Sequence, residues 1–368
     1  DKKLTMKILH VITSLGTGGA EHLMVDLLPR LAAMGHEVEL CVFDGSRTPF
    51  YGELEAKGIT IHALGIGGNV YHPRNIWRLM RLIQRGKYDV VHTHNTACQL
   101  FAPLAKRLHF GKERLLTTEH NTTNRRRDNA IYRPIDWLMY RGYERIICIS
   151  DAAWKSLVDY MPSLGKRAIV VENGVDVERF ANAEPSPEPK SSRKVVMMVA
   201  GFRVQKDQST LLRAMAELDA DKYELWLVGD GDTRPAMEDL AAELGIQERV
   251  RFLGVRTDVP GLLKCADVVV MSSHWEGLSL SNIEGMASGR PFVASAVRGL
   301  REITDGHGLL FEHENSTELA SVIRQLCDDE TLYKEVVARC IAQAKRFDIS
   351  NMARGYAAIY EGESGAKS

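Results

Sequence analysis

The feature that most constrains the fold of this chain is a regular alternation between short β-branched runs and longer segments of helical period. In the first half, the candidate strands are Lys7–Ile12, Glu37–Val42, Ile59–Leu64, Asp89–His92, Leu115–Glu119, Arg145–Ile149 and Ala168–Val171. Nearly continuous apolar strands separated by helices are typical of a parallel sheet covered on both faces. The pattern therefore predicts an α/β fold with doubly wound sheets.

The alternation stops at Ala181–Arg193, where Pro185, Pro187 and Pro189 occupy alternate positions. Proline disfavours both helices and central strands, so we predict an exposed, semi-extended linker over residues 181–193. The alternation then resumes at Val195–Ala200, Glu224–Val228, Val250–Leu253, Val268–Met271 and Pro291–Ser295.

The length of 368 residues also favours two domains, because a single core rarely grows beyond about 250–300 residues. We predict an N-terminal domain over residues 1–180 and a C-terminal domain over residues 194–348. Within residues 349–368, the segment Ile349–Tyr360 again has helical period, and it packs either on the second domain or back on the first.

Composition limits the classes of partner. The chain carries 47 Lys and Arg against 48 Asp and Glu, and this balance gives no overall attraction for nucleic acid. None of its six cysteines forms a CxxC pair, and no apolar run reaches the about 20 residues that span a bilayer. We therefore expect a reduced, cytoplasmic protein without a nucleic-acid partner.

A glycine-rich turn follows the first strand and opens a helix. The N–H groups of such a turn, at Gly18 and Gly19, favour a phosphate. The dinucleotide fingerprint needs a glycine at the sixth position counted from Gly16, where this chain has Glu21, so the fingerprint is not met. A tight turn without a ligand is the alternative.

A second constellation joins a loop to the start of a helix. Glu276 lies in the loop and Glu284 in the helix, with the backbone of Gly277, Leu278 and Ser279 between them. Two acidic hydrogen-bond acceptors that flank an anion-binding helix terminus suit a ligand with hydroxyls at both ends and phosphate in the middle. A nucleotide-sugar has this shape. The alternative is a capping glutamate and a solvated glutamate on an ordinary helix.

Two cations, Arg203 and Lys206, follow the first strand of the second half. At the carboxyl end of a strand they are placed to stabilise negative charge on a leaving diphosphate, although a solvated charged loop would look the same. Asp219–Asp221 and Asp230–Asp232 match a short Asp-x-Asp diphosphate–metal motif. Because Arg203 and Lys206 can supply the positive charge, we predict no metal and no cofactor.

Three histidines follow strands of the first half. His92 and His94 have the spacing of metal ligands, but no third ligand completes a site. One member of this pair would then pack in the wall of a cleft between the domains.

A basic run of Arg125, Arg126 and Arg127 precedes the aromatic segment Ile131–Tyr143. This combination is typical of proteins held at an anionic membrane surface, and a solvated loop before a core helix is an equal alternative.

Together these motifs resemble the retaining glycosyltransferases of family 4, whose GT-B fold has two Rossmann-like domains facing a central cleft. The most specific part is Glu276 to Glu284, the family's E-x7-E signature, followed by Gly289-x-Pro291. The other shared motifs cover nearly the whole chain: Gly18–Glu21, Gly35–Val38, Asp89–His92, Asn173–Asp176, Leu227–Gly231, Phe252–Gly254 and Gly299–Glu302.

The resemblance implies that the second domain binds a nucleotide-sugar, UDP-linked in preference to GDP-linked. Glu276 would contact the sugar hydroxyls and Glu284 the ribose. Arg203 and Lys206 would hold the diphosphate, helped by the backbone around residues 277–279.

By the same resemblance, the first domain would bind the acceptor, with His92, His94, His120 and the basic run on the acceptor side. A lipid-linked acceptor next to this basic run predicts a peripheral protein on the inner face of the cytoplasmic membrane. Gly18 and Gly19 would approach the phosphates from the first domain, and His120 would lie near the reacting face of the sugar. Val255 and Arg256 would seat the base. The final helix would cross back to the first domain. Arg203 follows an aromatic residue, whereas the commoner family pattern places the arginine before it, so Lys206 is the firmer phosphate ligand.

The implied reaction is transfer, with retention of anomeric configuration, to a glycan or lipid-linked acceptor of cell-surface polysaccharide synthesis. No residue qualifies as a covalent nucleophile, so same-face attack is favoured, with the leaving phosphate taking the proton of the acceptor. Three alternatives stay open: a sugar-nucleotide epimerase, a nucleotide-sugar-binding protein without turnover, and an NAD-dependent oxidoreductase, which the unmet glycine fingerprint disfavours.

Overall fold

The computed structural model describes residues 5–16, 18–120, 127 and 129–362. The chain divides into two compact units. Unit 1 comprises the residues up to Gly174 together with those from Ile349 onward, and unit 2 comprises Val175–Asp348. Each unit contains a parallel sheet between helices, which confirms the predicted pair of doubly wound domains.

Unit 1 has a seven-stranded sheet. Its strands are β1 (Lys7–Ile12), β2 (Glu37–Val42), β3 (Thr60–Ala63), β4 (Val90–His94), β5 (Arg114–Glu119), β6 (Arg145–Cys148) and β7 (Ala168–Val170). Its helices are α1 (Gly19–Ala33), α2 (Pro49–Ala56), α3 (Arg74–Gly86), α4 (Thr96–His109), α5 (Arg133–Arg141), α6 (Asp151–Tyr160) and α15 (Ile349–Tyr360). The strand order is β3-β2-β1-β4-β5-β6-β7. Successive residues of β1 show why both faces are covered, since Ile8 belongs to one hydrophobic core and Leu9 to the other.

Unit 2 has a six-stranded sheet in the order β10-β9-β8-β11-β12-β13. These strands are β8 (Lys194–Val199), β9 (Tyr223–Val228), β10 (Val250–Gly254), β11 (Val268–Met271), β12 (Phe292–Ser295) and β13 (Leu309–Phe311). The helices are α7 (Val177–Ala181), α8 (Gln208–Glu217), α9 (Arg234–Glu243), α10 (Val259–Cys265), α11 (Leu280–Ala287), α12 (Arg301–Thr304), α13 (Ser316–Asp328) and α14 (Glu330–Arg346). The sequence-predicted strands all form, and β13 is an addition at the edge of the sheet.

Strand order tells where ligands of such sheets bind. In unit 1 the order reverses between β1 and β4, and in unit 2 it reverses between β8 and β11. Ligands of open parallel sheets bind beyond the carboxyl ends of the strands at such a reversal. Most of the candidate residues follow these strands directly.

The proline-rich segment is not a free linker, and this corrects the predicted boundary. It belongs to unit 2, which begins at Val175. The Ser186 N–H donates to the carbonyl oxygen of Gly261 at 2.9 Å, and the Lys190 ammonium pairs with Asp267 at 3.0 Å. The prolines prevent regular structure within the segment, but the polar residues between them find partners on α10 and beside β11.

Helix α15 belongs to unit 1, although it follows unit 2 in the chain. Tyr356 and Tyr360 are fully buried in the core that also contains α1 residues such as Leu23 and Leu27. Of the two placements considered from the sequence, the structure has the crossing back to the first domain. Within the described parts of the chain, no helix is both long and apolar enough to cross a membrane.

Candidate active site

In unit 2, two glycines hold the loop that carries Arg203 and Lys206 beyond β8. The Phe202 N–H donates to the Asp230 carbonyl oxygen at 2.9 Å, so this loop runs beside the loop after β9. A Cβ at Gly229 or Gly231 would lie only 2.1 or 2.3 Å from backbone oxygens of Ala200 and Phe202, and both glycines have positive φ. The close approach therefore requires glycine at both positions.

Lys206 forms an ion pair with Glu276, in which the ammonium donates to Oε1 of the carboxylate. The Lys206 side chain is 17% exposed and that of Glu276 only 6%. The hydroxyl of Ser273 donates to the same carboxylate oxygen at 2.7 Å, and Gln205 donates to Oε2 at 3.4 Å. The structure thus brings together two of the predicted residues and adds Ser273 and Gln205, whose roles the sequence did not indicate.

Gly299 fixes the loop that carries Glu276. Its φ is +89°, and a Cβ there would lie 2.1 Å from the Glu276 carbonyl oxygen. The Glu276 N–H in turn donates to the Arg298 carbonyl oxygen at 3.2 Å. A residue 23 positions later in the chain than Glu276 therefore sets the position of this carboxylate.

The N-terminus of α11 lies next to this pair in the sequence and is uncapped. Its N-cap residue, Ser279, makes no side-chain capping hydrogen bond. Within the described residues, no protein acceptor is bonded to the backbone N–H groups of Gly277, Leu278 or Ser279. Free N–H groups at the positive end of a helix form an anion-binding site. Glu284 lies within this helix and is 6% exposed.

The other predicted donor-site residues differ in how accessible they are to a ligand. Arg203 is exposed, and the Val255 side chain is 60% exposed. Arg256 is engaged with Asp258 at 2.8 Å and with Glu188 at 2.6 Å. The hydrogen bonds that Arg256 donates to the carboxylates of Asp258 and Glu188 raise the pKa of its guanidinium. The positive charge of its guanidinium is therefore already balanced by two carboxylates. The loop offers a ligand chiefly its backbone and the Val255 side chain.

In unit 1, Gly18 and Gly19 begin α1 and are exposed. The carboxylate of Glu21 lies against Gly18, since a Cβ at Gly18 would be 2.2 Å from Oε2 of Glu21. This helix N-terminus therefore already faces one negative charge, unlike the N-terminus of α11.

The three histidines predicted for the acceptor side lie in one cluster in unit 1. His92 and His94 are fully buried and His120 is partly buried. The cluster includes His10, which the sequence analysis missed and which lies opposite His92 in the β1–β4 pair. A histidine inside the apolar strand β1 was the available signal. Burial lowers the pKa of His10 to about 3 and that of His120 to about 4.

The predicted basic run looks different in the structure. Arg125 and Arg126 lie outside the described residues. Arg127 pairs with Glu119 at 2.7 Å and donates to the Ser156 hydroxyl at 2.9 Å, and the side chains of both members of the ion pair are less than 10% exposed. Arg127 is thus an internal ion-pair partner rather than part of a basic surface, because Glu119 would otherwise be buried without a counter-charge.

Among the residues that the structure describes, two clusters have the residue types that hold metals. His10, His92 and His94 converge, but their rings stack at 10–20° and the Nδ1 of His10 lies 3.0 Å from Nε2 of His94, as in a hydrogen bond. In the second cluster, His274 and His313 approach Asp207, with 2.7 Å between the two ring nitrogens.

The carboxylates of both Asp-x-Asp segments take part in local contacts. Asp219 Oδ1 accepts from the backbone N–H of Asp221 at 2.9 Å, and Asp230 Oδ1 accepts from that of Gly231 at 2.8 Å. Such bonds are typical of turn residues.

Comparison with known families decides the class of the protein. The model of "Glycosyltransferase Family 4" matches residues 17–179, and the model of "Glycosyl transferases group 1" matches residues 193–329. The chain belongs to glycosyltransferase family 4. This confirms the resemblance inferred from the E-x7-E signature.

Relatives of this glycosyltransferase cover most of its length. The lipopolysaccharide core biosynthesis glycosyltransferase LpsD of Rhizobium meliloti is 29% identical over 351 residues, which cover 90% of this chain and 91% of LpsD. The UDP-Gal:alpha-D-GlcNAc-diphosphoundecaprenol alpha-1,3-galactosyltransferase of Escherichia coli is 26% identical over 280 residues, or 70% of this chain and 71% of that enzyme.

Among solved structures, Anabaena HepE in complex with UDP matches with a TM-score of 0.81 at 21% identity, over 97% of this chain and 100% of HepE. A glycosyltransferase of Rickettsia africae matches with a TM-score of 0.83 at 21% identity, over 98% of each chain. These similarities establish the fold as GT-B.

Proposed function

We propose that this glycosyltransferase moves a hexose from a nucleotide-sugar to a glycan or lipid-linked acceptor of cell-surface polysaccharide synthesis, with retention of anomeric configuration and without a metal. The observation that carries the proposal is the Lys206–Glu276 pair beside the uncapped N-terminus of α11. A cation, an acidic acceptor and free N–H groups are the three kinds of group that a sugar diphosphate needs.

The donor would be recognised by exchange of partners within this site. The diphosphate takes Lys206 and the N–H groups of Gly277–Ser279, and Glu276 is then free to accept hydrogen bonds from sugar hydroxyls. Ser273 keeps the carboxylate in place by its 2.7 Å hydrogen bond. Glu284, one helix turn further along α11, would accept from the ribose.

A UDP-sugar is the favoured donor. The Escherichia coli relative is named for a UDP-Gal reaction, and HepE was solved with UDP and with UDP-glucose. In this chain the base would lie against Val255 and the backbone of Arg256, since the guanidinium of Arg256 is held by Glu188 and Asp258.

In the transfer step, the bond between the anomeric carbon and the phosphate oxygen breaks as the acceptor hydroxyl attacks from the same face. The hydroxyl proton passes to the departing phosphate oxygen, so no protein base is consumed. Lys206, Arg203 and the α11 N–H groups stabilise the charge that develops on the diphosphate, an effect whose removal typically costs about 10²–10³ in rate for one donor.

Unit 1 would bind the acceptor and hold the protein at a membrane. Ile131, Ile135 and Leu138 are 71%, 47% and 48% exposed. Ile131 lies in a short 3-10 helix, Ala130–Tyr132, directly before α5. The three-residue spacing of Ile135 and Leu138 places both side chains on one side of α5. Arg141 lies over the exposed ring of Trp137 at 5.1 Å, so cationic and apolar groups share this surface. Such a surface binds at the boundary of an anionic bilayer.

Transfer of labelled sugar tests the proposed reaction. Purified protein is incubated with UDP-hexoses and membrane lipid extract, and the anomeric configuration of the product is read by NMR. A product whose configuration matches the donor supports the proposal. Inverted product, or free sugar in the absence of any transfer product, would contradict it.

Vesicle co-sedimentation tests the membrane surface. The double variant Ile135→Ser and Leu138→Ser should lose binding to vesicles that contain phosphatidylglycerol. The matched control is Ile66→Ser, which removes a side chain that is 83% exposed elsewhere in unit 1. Equal binding by wild type and the double variant would refute the membrane role.

A further inference from the structure

A continuous chain of hydrogen bonds runs through the interior of unit 1 from α15 to His120. It links Tyr356, Thr118, His92, Tyr360, His10, His94 and His120 in that order. The successive distances are 3.0, 2.8, 2.6, 3.3, 3.0 and 2.9 Å. His120 is the one partly exposed member, because the other six are buried.

We propose that this chain of hydrogen bonds fixes the tautomer of His120, so that its Nδ1, the nitrogen that does not bond to His94, is a hydrogen-bond acceptor for a substrate hydroxyl. Tyr360, at the end of α15, is the positioning residue that determines which nitrogen of each imidazole ring carries the proton. The inference rests on the proposed transferase function for its consequence in catalysis, but the tautomer itself is independent of that function.

The argument begins with neutrality. Burial lowers the pKa of His10 to about 3 and of His120 to about 4, and burial first, with neighbouring imidazoles second, lowers those of His92 and His94. All four rings are therefore neutral at neutral pH. A neutral imidazole has one donor nitrogen and one acceptor nitrogen.

Neutrality couples the rings to one another. His10, His92 and His94 each use both ring nitrogens within the chain. A proton on one nitrogen of a ring makes the other an acceptor, and this dictates the proton of the next ring. Two fully bonded orders exist: all four histidines carry the proton on Nε2, or all four carry it on Nδ1.

The contacts of Tyr360 select between the two orders. Its hydroxyl lies 2.6 Å from Nδ1 of His92 but 3.3 Å from Nε2 of His10. Hydrogen bonds donated by a hydroxyl are shorter than those donated by a ring N–H. The Tyr360 hydroxyl therefore donates to His92 and accepts from Nε2–H of His10.

The rest of the order follows from this choice. Since His10 carries its proton on Nε2, its Nδ1 accepts from Nε2–H of His94, and Nδ1 of His94 accepts from Nε2–H of His120. The Nδ1 of His120 is then left with a lone pair. A nitrogen that accepts a hydrogen bond and cannot donate one can orient a hydroxyl of the sugar or of the acceptor substrate without transferring a proton.

Nitrogen-15 NMR of protein labelled at histidine tests the tautomers directly. The expected result is Nε2–H for His10, His92, His94 and His120, assigned with single His→Gln variants. The Nδ1–H form at any one of the four would overturn the proposal. This measurement needs no substrate.

The variant Tyr360→Phe keeps the buried ring and removes the hydroxyl that joins His92 to His10. His10 then has no acceptor for Nε2–H, so we expect the Nδ1–H form to appear at His120. We also expect kcat to fall roughly 10–100-fold, as is typical when a residue that orients a functional histidine is lost. The KM for the nucleotide-sugar should stay within about twofold.

The matched control is Tyr143→Phe. Tyr143 is also buried in unit 1, and its hydroxyl bonds to the Gln99 carbonyl oxygen at 2.7 Å and to Thr93 at 3.0 Å, outside the chain. The control should keep the His120 tautomer and kcat. An unchanged His120 tautomer in Tyr360→Phe would refute the positioning role, whereas absence of transfer in wild type would refute the proposed function alone.

Discussion

Lys206 and Glu276 hold each other across 70 positions of the chain, the ammonium donating directly to the carboxylate. In the proposed donor complex, the diphosphate competes with Glu276 for the positive charge of Lys206, and the sugar hydroxyls compete with Lys206 for the lone pairs of Glu276. In that complex, the diphosphate would bind Lys206 and the sugar would bind Glu276. Binding of a nucleotide without its sugar leaves Glu276 without its cation.

The first prediction follows from this competition. Glu276→Gln should tighten the binding of UDP, because Lys206 no longer has to leave a carboxylate; we expect up to about tenfold, or about 1.4 kcal/mol. Transfer by the same variant should fall by roughly 10²-fold, since the sugar loses its acidic acceptor. Calorimetry and labelled-sugar transfer measure the two effects. Weaker UDP binding in Glu276→Gln would contradict the exchange of partners.

The second prediction concerns Gly299. Gly299→Ala should destabilise the protein by about 1–3 kcal/mol and displace Glu276, because the added Cβ would meet the Glu276 carbonyl oxygen. Gly306→Ala is the matched control, since Gly306 also has positive φ but open space around its Cβ position. Urea unfolding and transfer rates are compared between the two. Equal loss of transfer in both variants would show that backbone strain, and not the contact, is responsible.

The third prediction concerns Gly285, a buried glycine inside α11. Alanine should gain about 1 kcal/mol of helix propensity. Its Cβ, however, would lie 2.7 Å from the buried ring of Phe292, and overpacking of that kind typically costs about 1–3 kcal/mol. We therefore expect Gly285→Ala to be destabilising and Gly52→Ala, in open space on α2, to be stabilising. A gain in stability for Gly285→Ala would contradict this prediction, because it would mean that the Phe292 ring moves aside to accommodate the added Cβ.

The fourth prediction is a pH dependence of stability. Burial lowers the folded-state pKa values of His10, His92, His94 and His120 from the usual histidine value of about 6.5. The unfolded chain therefore binds more protons than the folded chain once the pH falls below about 6.5. Stability should be complete above that pH and be lost as the pH falls towards 4, by up to about 5 kcal/mol per pH unit if all four sites contribute.

Urea unfolding at pH 7.5, 6 and 5 measures this dependence. His10→Gln should reduce the slope by up to one proton, whereas His72→Gln, which alters an exposed side chain, should not. A flat stability between pH 7.5 and 5 would contradict the burial of neutral histidines.

The sequence predicts the sheets well because their strands are buried on both faces and read as apolar runs. It places the Glu276 loop and the α11 N-terminus correctly for the same reason, since each directly follows a recognisable strand or opens a recognisable helix. Local pattern and tertiary structure agree at these positions.

Features that depend on distant partners are not visible in the sequence. Ser186 and Lys190 look like linker residues until Gly261 and Asp267 are seen beside them. Arg127 reads as part of a basic surface, yet its partner Glu119 is buried with it. His10 and Tyr360 are 350 positions apart, so no window of sequence could show that they meet.

Calorimetric titration with UDP, GDP, ADP and NAD tests the central claim, that the Lys206–Glu276 pair and the α11 N-terminus bind a nucleoside diphosphate. Wild type is compared with Lys206→Met and with Lys190→Met, a control that removes a lysine paired with Asp267 in the same unit. We predict that wild type and Lys190→Met bind UDP alike and that Lys206→Met binds it at least about tenfold more weakly. Binding of NAD alone, or equal UDP binding by all three proteins, would contradict the account.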